Sequence, residues 1–319
     1  MRIGWIGFHM EGLPALHALL EQGTRVEAII TLNEEQRAKR SGAIDYQELG
    51  HRFSVPIHRI ANINHESSIQ MLQNLDLDVA FVLGWSQIIH PPALRTCRLG
   101  MIGAHASLLP HNRGSAPINW AIIRGETQTG NTLIWLSEGV DEGRIIDQVT
   151  FPIAPYDTCA TLYDKVAKSN RDMVLQLLPR LERGERPGRP QAACAEAILP
   201  RRRPEHGRID WSQDSAAVYN FIRALTRPYP GAFSRLDCER WLIWQAALIC
   251  GRAPPGAAPG EVLGPVVSPV PGSCGQAVAC GQGLVILLEV EGSQGRVLKG
   301  PTLSDQTWRG KVWANDENG

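Results

Sequence analysis

An α/β domain built on a parallel sheet, followed by a smaller all-β domain, is the fold this sequence predicts. Three observations carry it. Strand-like and helix-like runs alternate through the first 150 residues, an Arg-, Pro- and Gly-rich stretch interrupts at 181–203, and short β-like runs separated by Gly/Pro turns follow. Alternating strands and helices imply a parallel sheet covered on both faces. Several short strands with turns imply a small barrel or sandwich. The domains are drawn at 1–203 and 204–319 of a 319-residue chain, in keeping with about two domains on length alone.

The elements follow in order. RIGWIGF at 2–8 is an apolar strand, and Leu13, Leu16, Leu19 and Leu20 recur at helical spacing within 12–21. RVEAIITL at 25–32 is a second strand and VPIHRI at 55–60 a third; 66–75 reads as a helix and DVAFVLGW at 78–85 as a buried strand. Residues 101–107 and 132–137 complete the first set. Ligands in such folds gather beyond the carboxyl ends of the strands, which selects 84–89, 103–110 and 137–143 as site loops. The stretch 181–203 is read as a connector with a solvated Arg cluster; beyond it lie a helix at 216–225 and strands at 241–249, 260–267, 276–279 and 284–290.

Lys plus Arg and Asp plus Glu number 32 each, so no net field draws the chain toward polyanions. No apolar run approaches the roughly 18–20 residues that span a bilayer, and MRIGWIGFHMEG is too short a start for a secretory signal. Seven cysteines without a CxxC pair indicate neither a disulfide framework nor a zinc motif. A soluble, reduced, cytoplasmic protein is expected, with the oligomeric state left open, a homodimer included. Gly7 to Gly12 lacks GxGxxG spacing, and Leu13-Pro14 stands where a phosphate loop needs Lys and Ser or Thr. Nine histidines include no HExxH, so no metal is called for. Ser107 sits in no GxSxG frame.

The informative segment is GMIGAHASLLPHNRGSAPINWAIIRGETQTGNTLIWLSEGVDEGRI at 100–145. A strand ends in His105, a turn follows at Ser107-Leu108-Leu109-Pro110, Arg113-Gly114 precede a helix opened by Pro117, and Val140-Asp141-Glu142-Gly143 form a later loop. The run H-x-S-L-L-P-x-x-R-G-x-x-P, with D-x-G beginning 36 residues beyond the His, resembles the 10-formyltetrahydrofolate-dependent formyltransferase family. Gly84-Trp85-Ser86-Gln87-Ile88-Ile89 falls where that family's folate-contacting loop would lie, and Arg227-Pro228-Tyr229-Pro230-Gly231-Ala232-Phe233 resembles its carboxyl-terminal domain.

The resemblance implies a Rossmann-like catalytic domain, an OB-like barrel behind it, and an Asn-His-Asp centre. His105 and Asp141 match the family His and Asp. Gly84, Trp85, Ser86, Gln87, Ile88, Val140 and Asp141 are the implied folate-binding residues, with 10-formyltetrahydrofolate as co-substrate. An imidazole near its unperturbed pKa of about 6.5 exchanges protons at neutral pH, and a neighbouring carboxylate fixes its tautomer. The position of the family Asn is Gly103. Loss of one oxyanion donor costs on the order of 100-fold or more. Three accounts compete: a backbone N–H or water fills the gap, Asn112 or Asn119 reaches in, or catalysis is slow or lost. The first is preferred.

Ala116-Pro117-Ile118-Asn119-Trp120 followed by Gly125-Glu126-Thr127 is similar to the sugar-nucleotide formyltransferases, whereas the tRNA enzymes carry a basic loop that NEEQRAKRSGAIDYQEL at 33–49 lacks. The resemblance therefore implies a small-molecule amine, an amino-sugar nucleotide, as acceptor, with Arg113, Asn119 and Asn112 positioning it and nucleic acid an unlikely partner. Methionyl-tRNA or a hydroxyornithine-type metabolite is the alternative acceptor. A folate- or nucleotide-binding protein that has lost catalysis is the alternative of another class.

Overall fold

The computed structural model describes residues 1–267 and 274–314. The chain divides into two compact units. The first comprises Met1–Pro117, Gln128–Pro152 and Thr161–Pro200; the second comprises Ile118–Thr127, Ile153–Ala160 and Arg201–Gly319.

The first unit is a seven-stranded sheet of β1 (Ile3–Ile6), β2 (Val26–Leu32), β3 (Ile57–Ile60), β4 (Val79–Val82), β5 (Gly100–His105), β6 (Gln128–Trp135) and β7 (Ile145–Pro152). Their order is β3-β2-β1-β4-β5-β6-β7. Alternate residues explain why these strands read as continuous apolar runs. Trp5, Ile29, Phe81 and Ile102 enter a core on one face, with Leu16 and Leu19 of the helix Leu13–Glu21. Ile6, Ile30, Ala80, Val82 and Met101 enter a second core on the other, with Leu72 of the helix Glu66–Leu75. A sheet buried on both faces has no polar side to alternate.

Five strands run parallel as expected; β6 and β7 run antiparallel to their neighbours. An antiparallel return needs no crossover helix, and the short loop 136–144 makes one between β6 and β7. The 24-residue helix Cys159–Glu182, which the sequence reading did not mark, lays Met173, Val174, Leu177, Leu178 and Leu181 on the first core. In parallel order the chain reverses direction of progress between β1 and β4. Their carboxyl ends, 7–9 and 83–87, therefore flank a topological switch point, where such sheets open a crevice.

The second unit holds the antiparallel β domain: β8 (Ala232–Leu236), β9 (Glu239–Leu248), β10 (Val262–Val267), β11 (Cys274–Ala279), β12 (Leu284–Glu291) and β13 (Val297–Lys299), in ladder order β10-β11-β12-β9-β8 with β13 on β12. The helix Ser215–Leu225 opens on Asp214, whose carboxylate accepts from the Ala217 N–H, a capping bond for an otherwise orphaned donor. Trp211 and Trp313 stack in its interior, with Trp308 beside them. No helix among the described residues is long and apolar enough to cross a membrane.

Candidate active site

β5 delivers His105 to the carboxyl edge of the sheet, one strand from the switch point. Its imidazole lies between two oxygens. Nε2 lies 2.8 Å from the Asn112 carbonyl oxygen, and Nδ1 lies 3.4 Å from Asp141 Oδ2. A carbonyl only accepts, so Nε2 carries a proton and Nδ1 is the nitrogen that faces the carboxylate. The His105 side chain is 10 % exposed and that of Asp141 22 %.

Both partners reach the ring through unusual backbone. Asn112 (φ +56°) and Asp141 (φ +55°) adopt the left-handed region, which Asn and Asp tolerate better than most residues. Left-handed non-glycine residues of this kind concentrate at functional sites. The second Asp141 bond fixes its orientation: Oδ2 accepts from the Gly114 N–H at 2.9 Å. Gly114 itself (φ +110°) is pressed against the chain at 199; a Cβ there would lie 2.5 Å from the Leu199 carbonyl oxygen.

The 107–111 turn is anchored from the sheet. Thr132 Oγ1 donates to the Ser107 carbonyl at 2.6 Å, and accepts from the Leu109 N–H and from Gln148 Nε2. One donor and two lone pairs are thereby all used. Gln148 Nε2 also donates to the Leu109 carbonyl, and Ser107 Oγ to that of His111. Ser107 is thus a buried strut of the turn.

The segment 183–203 is more than a solvated connector. Residue 189 pairs with Ile145, and Gln191 Nε2 donates to the Asp141 carbonyl at 2.7 Å and the Gly143 carbonyl at 2.8 Å. Leu199 N–H donates to the Arg113 carbonyl, and Ser115 N–H to that of Leu199. Sequence reasoning missed this because an extended, Pro-rich strap has no hydrophobic period. Its polar side chains signal nothing until their partners are known.

The predicted substrate residues divide. Asn112 meets His105 through its carbonyl. Arg113 is engaged as a clamp, its guanidinium donating to Glu142 Oε1 at 2.8 Å and to the Cys194 carbonyl. Asn119 is fully buried in the second unit, where Nδ2 donates to the Ala224 carbonyl at 2.6 Å and ties one helix to another. Gly103 is paired on both sides, with Val82 and Ile134. An ideal Cβ there would lie 2.5 Å from Leu136 Cδ2. A leucine methyl group lies where a side chain at 103 would begin.

In the loop after β4, Gly84 (φ +68°) passes so close to His9 that a Cβ would meet the His9 Cβ at 2.6 Å. The Phe8 N–H donates to its carbonyl, stitching together the two sides of the switch point. Trp85 packs edge-on to Phe8, Ser86 is exposed and Ile88 is 62 % exposed. Gln87 is spent internally: Oε1 accepts from the Ile63 N–H and Nε2 donates to the Ala61 carbonyl. Val140, half-buried, precedes Asp141 in the other loop. The cysteines are poor nucleophiles where buried: desolvation pushes the Cys159 thiol up to about 12 and Cys97 to about 11.

Known proteins bear directly on this arrangement. Residues 12–178 match the formyl transferase family and residues 202–306 its carboxyl-terminal domain. A methionyl-tRNA formyltransferase from Citrifermentans bemidjiense is 30 % identical over 296 residues, 91 % of this chain and 89 % of that one. In structure, HypX from Aquifex aeolicus, solved in complex with tetrahydrofolic acid, is similar with a TM-score of 0.64 and 20 % identity. That similarity covers 95 % of this chain, which spans less than half (46 %) of HypX. An N-formyltransferase from Helicobacter canadensis, in complex with folinic acid and dTDP-3-aminofucose, is similar with a TM-score of 0.64 and 16 % identity over 90 % of this chain and 99 % of that one. The chain belongs to the formyl transferase family. This is the 10-formyltetrahydrofolate-dependent family that the motifs resemble, and the chain is an enzyme of it.

Proposed function

We propose that the chain transfers the formyl group of 10-formyltetrahydrofolate to the amino group of an amino-sugar nucleotide, with His105 and Asp141 handling the proton. The observation that carries the reading is the orientation of His105, whose Nε2 is pinned by the Asn112 carbonyl while Nδ1 faces Asp141. The co-substrate supplies an activated formyl carbon. Nδ1 takes the proton released by the attacking amine, and the Asp141 carboxylate stabilises the imidazolium that results. General acid–base catalysis of this kind contributes roughly 10²–10⁴-fold. The exposed face of 84–88, at the switch point, together with Val140 of the later loop, is the surface assigned to the pterin.

The acceptor assignment draws on charge. Three cations near the position of a tRNA-binding loop are engaged in ion pairs: Lys39 with Glu35, and Arg37 and Arg59 with Asp45. Burial alone would raise the Asp45 carboxyl, but the Gln47 N–H and the Arg37 and Arg59 guanidiniums hold it below its ordinary value. Phosphate binding relies on Lys and Arg that are free to neutralise the phosphates and release their counterions. The likeness to the Helicobacter canadensis enzyme supports a sugar acceptor; the 30 %-identical methionyl-tRNA formyltransferase supports tRNA as the second reading. Assay of a panel of amino-sugar nucleotides with 10-formyltetrahydrofolate separates them. Formylated sugar is expected. Formylated methionyl-tRNA with no sugar product rejects the sugar assignment, and folate binding without turnover of any amine rejects transfer altogether.

Gly103→Asn sets the missing amide against Leu136. Overpacking costs about 1–3 kcal/mol, so the single variant is expected to melt earlier and to gain no rate. With Leu136→Ala the space reopens, and the double variant is expected to outpace Leu136→Ala alone by about tenfold or more, given what one oxyanion donor contributes. Equal rates for these two would mean that the amide has no role in this chain.

A further inference from the structure

One cluster lies outside the proposed proton relay. His111, Cys194 and Glu196 bring an imidazole nitrogen, a thiol sulfur and a carboxylate oxygen within 4.8 Å of one another. His111 Nδ1 stands 2.6 Å from Glu196 Oε1. Each member is held by a neighbour. The Asn112 N–H donates to Glu196 Oε2 at 3.2 Å, Ser107 Oγ to the His111 carbonyl at 2.8 Å, and the Arg113 guanidinium to the Cys194 carbonyl at 3.3 Å. The first orients the carboxylate itself, as such bonds do at metal centres; the other two fix the main chain that carries His111 and Cys194. Residues 111 and 194–196 are too far apart in sequence for any spacing motif to reveal them.

We propose that His111, Cys194 and Glu196 form a three-ligand site for zinc, or a divalent ion of the same borderline-soft class, with a fourth position open to solvent. Thiolate, imidazole and carboxylate together suit zinc and cobalt and disfavour calcium or magnesium, which take oxygen ligands. Binding displaces the thiol proton of Cys194 to solvent, moves the His111 proton from Nδ1 to Nε2, and exchanges the His111–Glu196 hydrogen bond for two bonds to the metal. Half-buried Cys194 and exposed Glu196 and His111 leave the ion an open approach.

The test uses the full chain, stripped by a chelator and titrated with zinc against a chromophoric competitor, and separately with cobalt(II). One equivalent of zinc and a thiolate-to-cobalt charge-transfer absorption are expected. Cys194→Ser should abolish that absorption, and Glu196→Gln, which keeps an acceptor for the Asn112 N–H, should weaken zinc at least tenfold. Cys238 and Cys250 are also exposed, so the variants decide where the metal sits. Uptake and cobalt spectrum unchanged in both variants overturn the proposal, as does a wild-type chain that takes up no equivalent. Matching thermal unfolding of the metal-free variants and wild type shows that lost binding is not lost folding.

Discussion

Replacing His105 by alanine is expected to lower turnover about 10³-fold, in line with the loss of a general acid–base group, while leaving co-substrate binding near normal. The informative companion is Asp141→Asn. An asparagine tolerates the left-handed backbone at 141 and still offers an oxygen to the Gly114 N–H, which now meets Asp141 Oδ2 at 2.9 Å. It loses only the charge opposite Nδ1. A drop of about 10²-fold or more in Asp141→Asn, with unchanged melting, assigns the carboxylate to stabilising the imidazolium. Turnover within a fewfold of wild type would instead reduce Asp141 to a loop anchor and remove it from the proton path. Rates measured with saturating co-substrate and amine, alongside a pH profile, distinguish the outcomes.

Gly143→Ala is expected to be the most damaging single methyl group in the first unit. An ideal Cβ at 143 would lie 1.6 Å from the Trp135 carbonyl oxygen, well inside any tolerable contact, and the obstacle is backbone. It cannot step aside as a side chain can, because the Trp135 N–H is bonded to the Arg144 carbonyl at 3.0 Å. The chain at 143 must therefore move away from β6. That motion pulls the Gly143 and Asp141 carbonyls off Gln191 and tilts the carboxylate away from His105. A stability loss of about 3 kcal/mol and a fall in turnover comparable to that of Asp141→Asn are expected, read by thermal unfolding and steady-state rates. Gly251→Ala, whose Cβ would find no atom nearer than 3.9 Å, is the control and should melt like wild type. Gly143→Ala melting with the control would mean that the 139–143 loop relaxes freely.

Much of the first unit was legible because its strands are buried on both faces. RIGWIGF, RVEAIITL and DVAFVLGW declare themselves as apolar runs, and helices with leucines at 3.6-residue spacing separate them. β7 was not legible: Ile145–Pro152 exposes much of its length, so it offers neither a continuous apolar run nor strict alternation. In the helix Cys159–Glu182 the buried apolar stripe is interrupted midway by the buried polar residues Ser169 and Asn170, which broke its period in the sequence. At the site, His105 and Asp141 were found by motif, and the structure brings their side chains face to face. The motif could not say that Arg113 clamps Glu142, or that Asn119 lies in a helix contact of the other unit. Nor could it say that Leu136 occupies the space above Gly103. Those are tertiary facts, set by residues 29, 105 and 33 positions away in turn.

The strap at 189–199 has a practical corollary for anyone cutting this chain. The family match to the catalytic half ends at 178, and the last residue of the long helix is Glu182, so either looks like a natural stop for an isolated catalytic fragment. A fragment ended there would keep every residue of the proton relay and every strand of its sheet. It would nonetheless lack Gln191 beneath the Asp141 loop and Leu199 against Arg113 and Ser115. Any piece meant to keep these bonds must run at least through Pro200, the end of the first unit, and fusion junctions or affinity tags belong beyond that point.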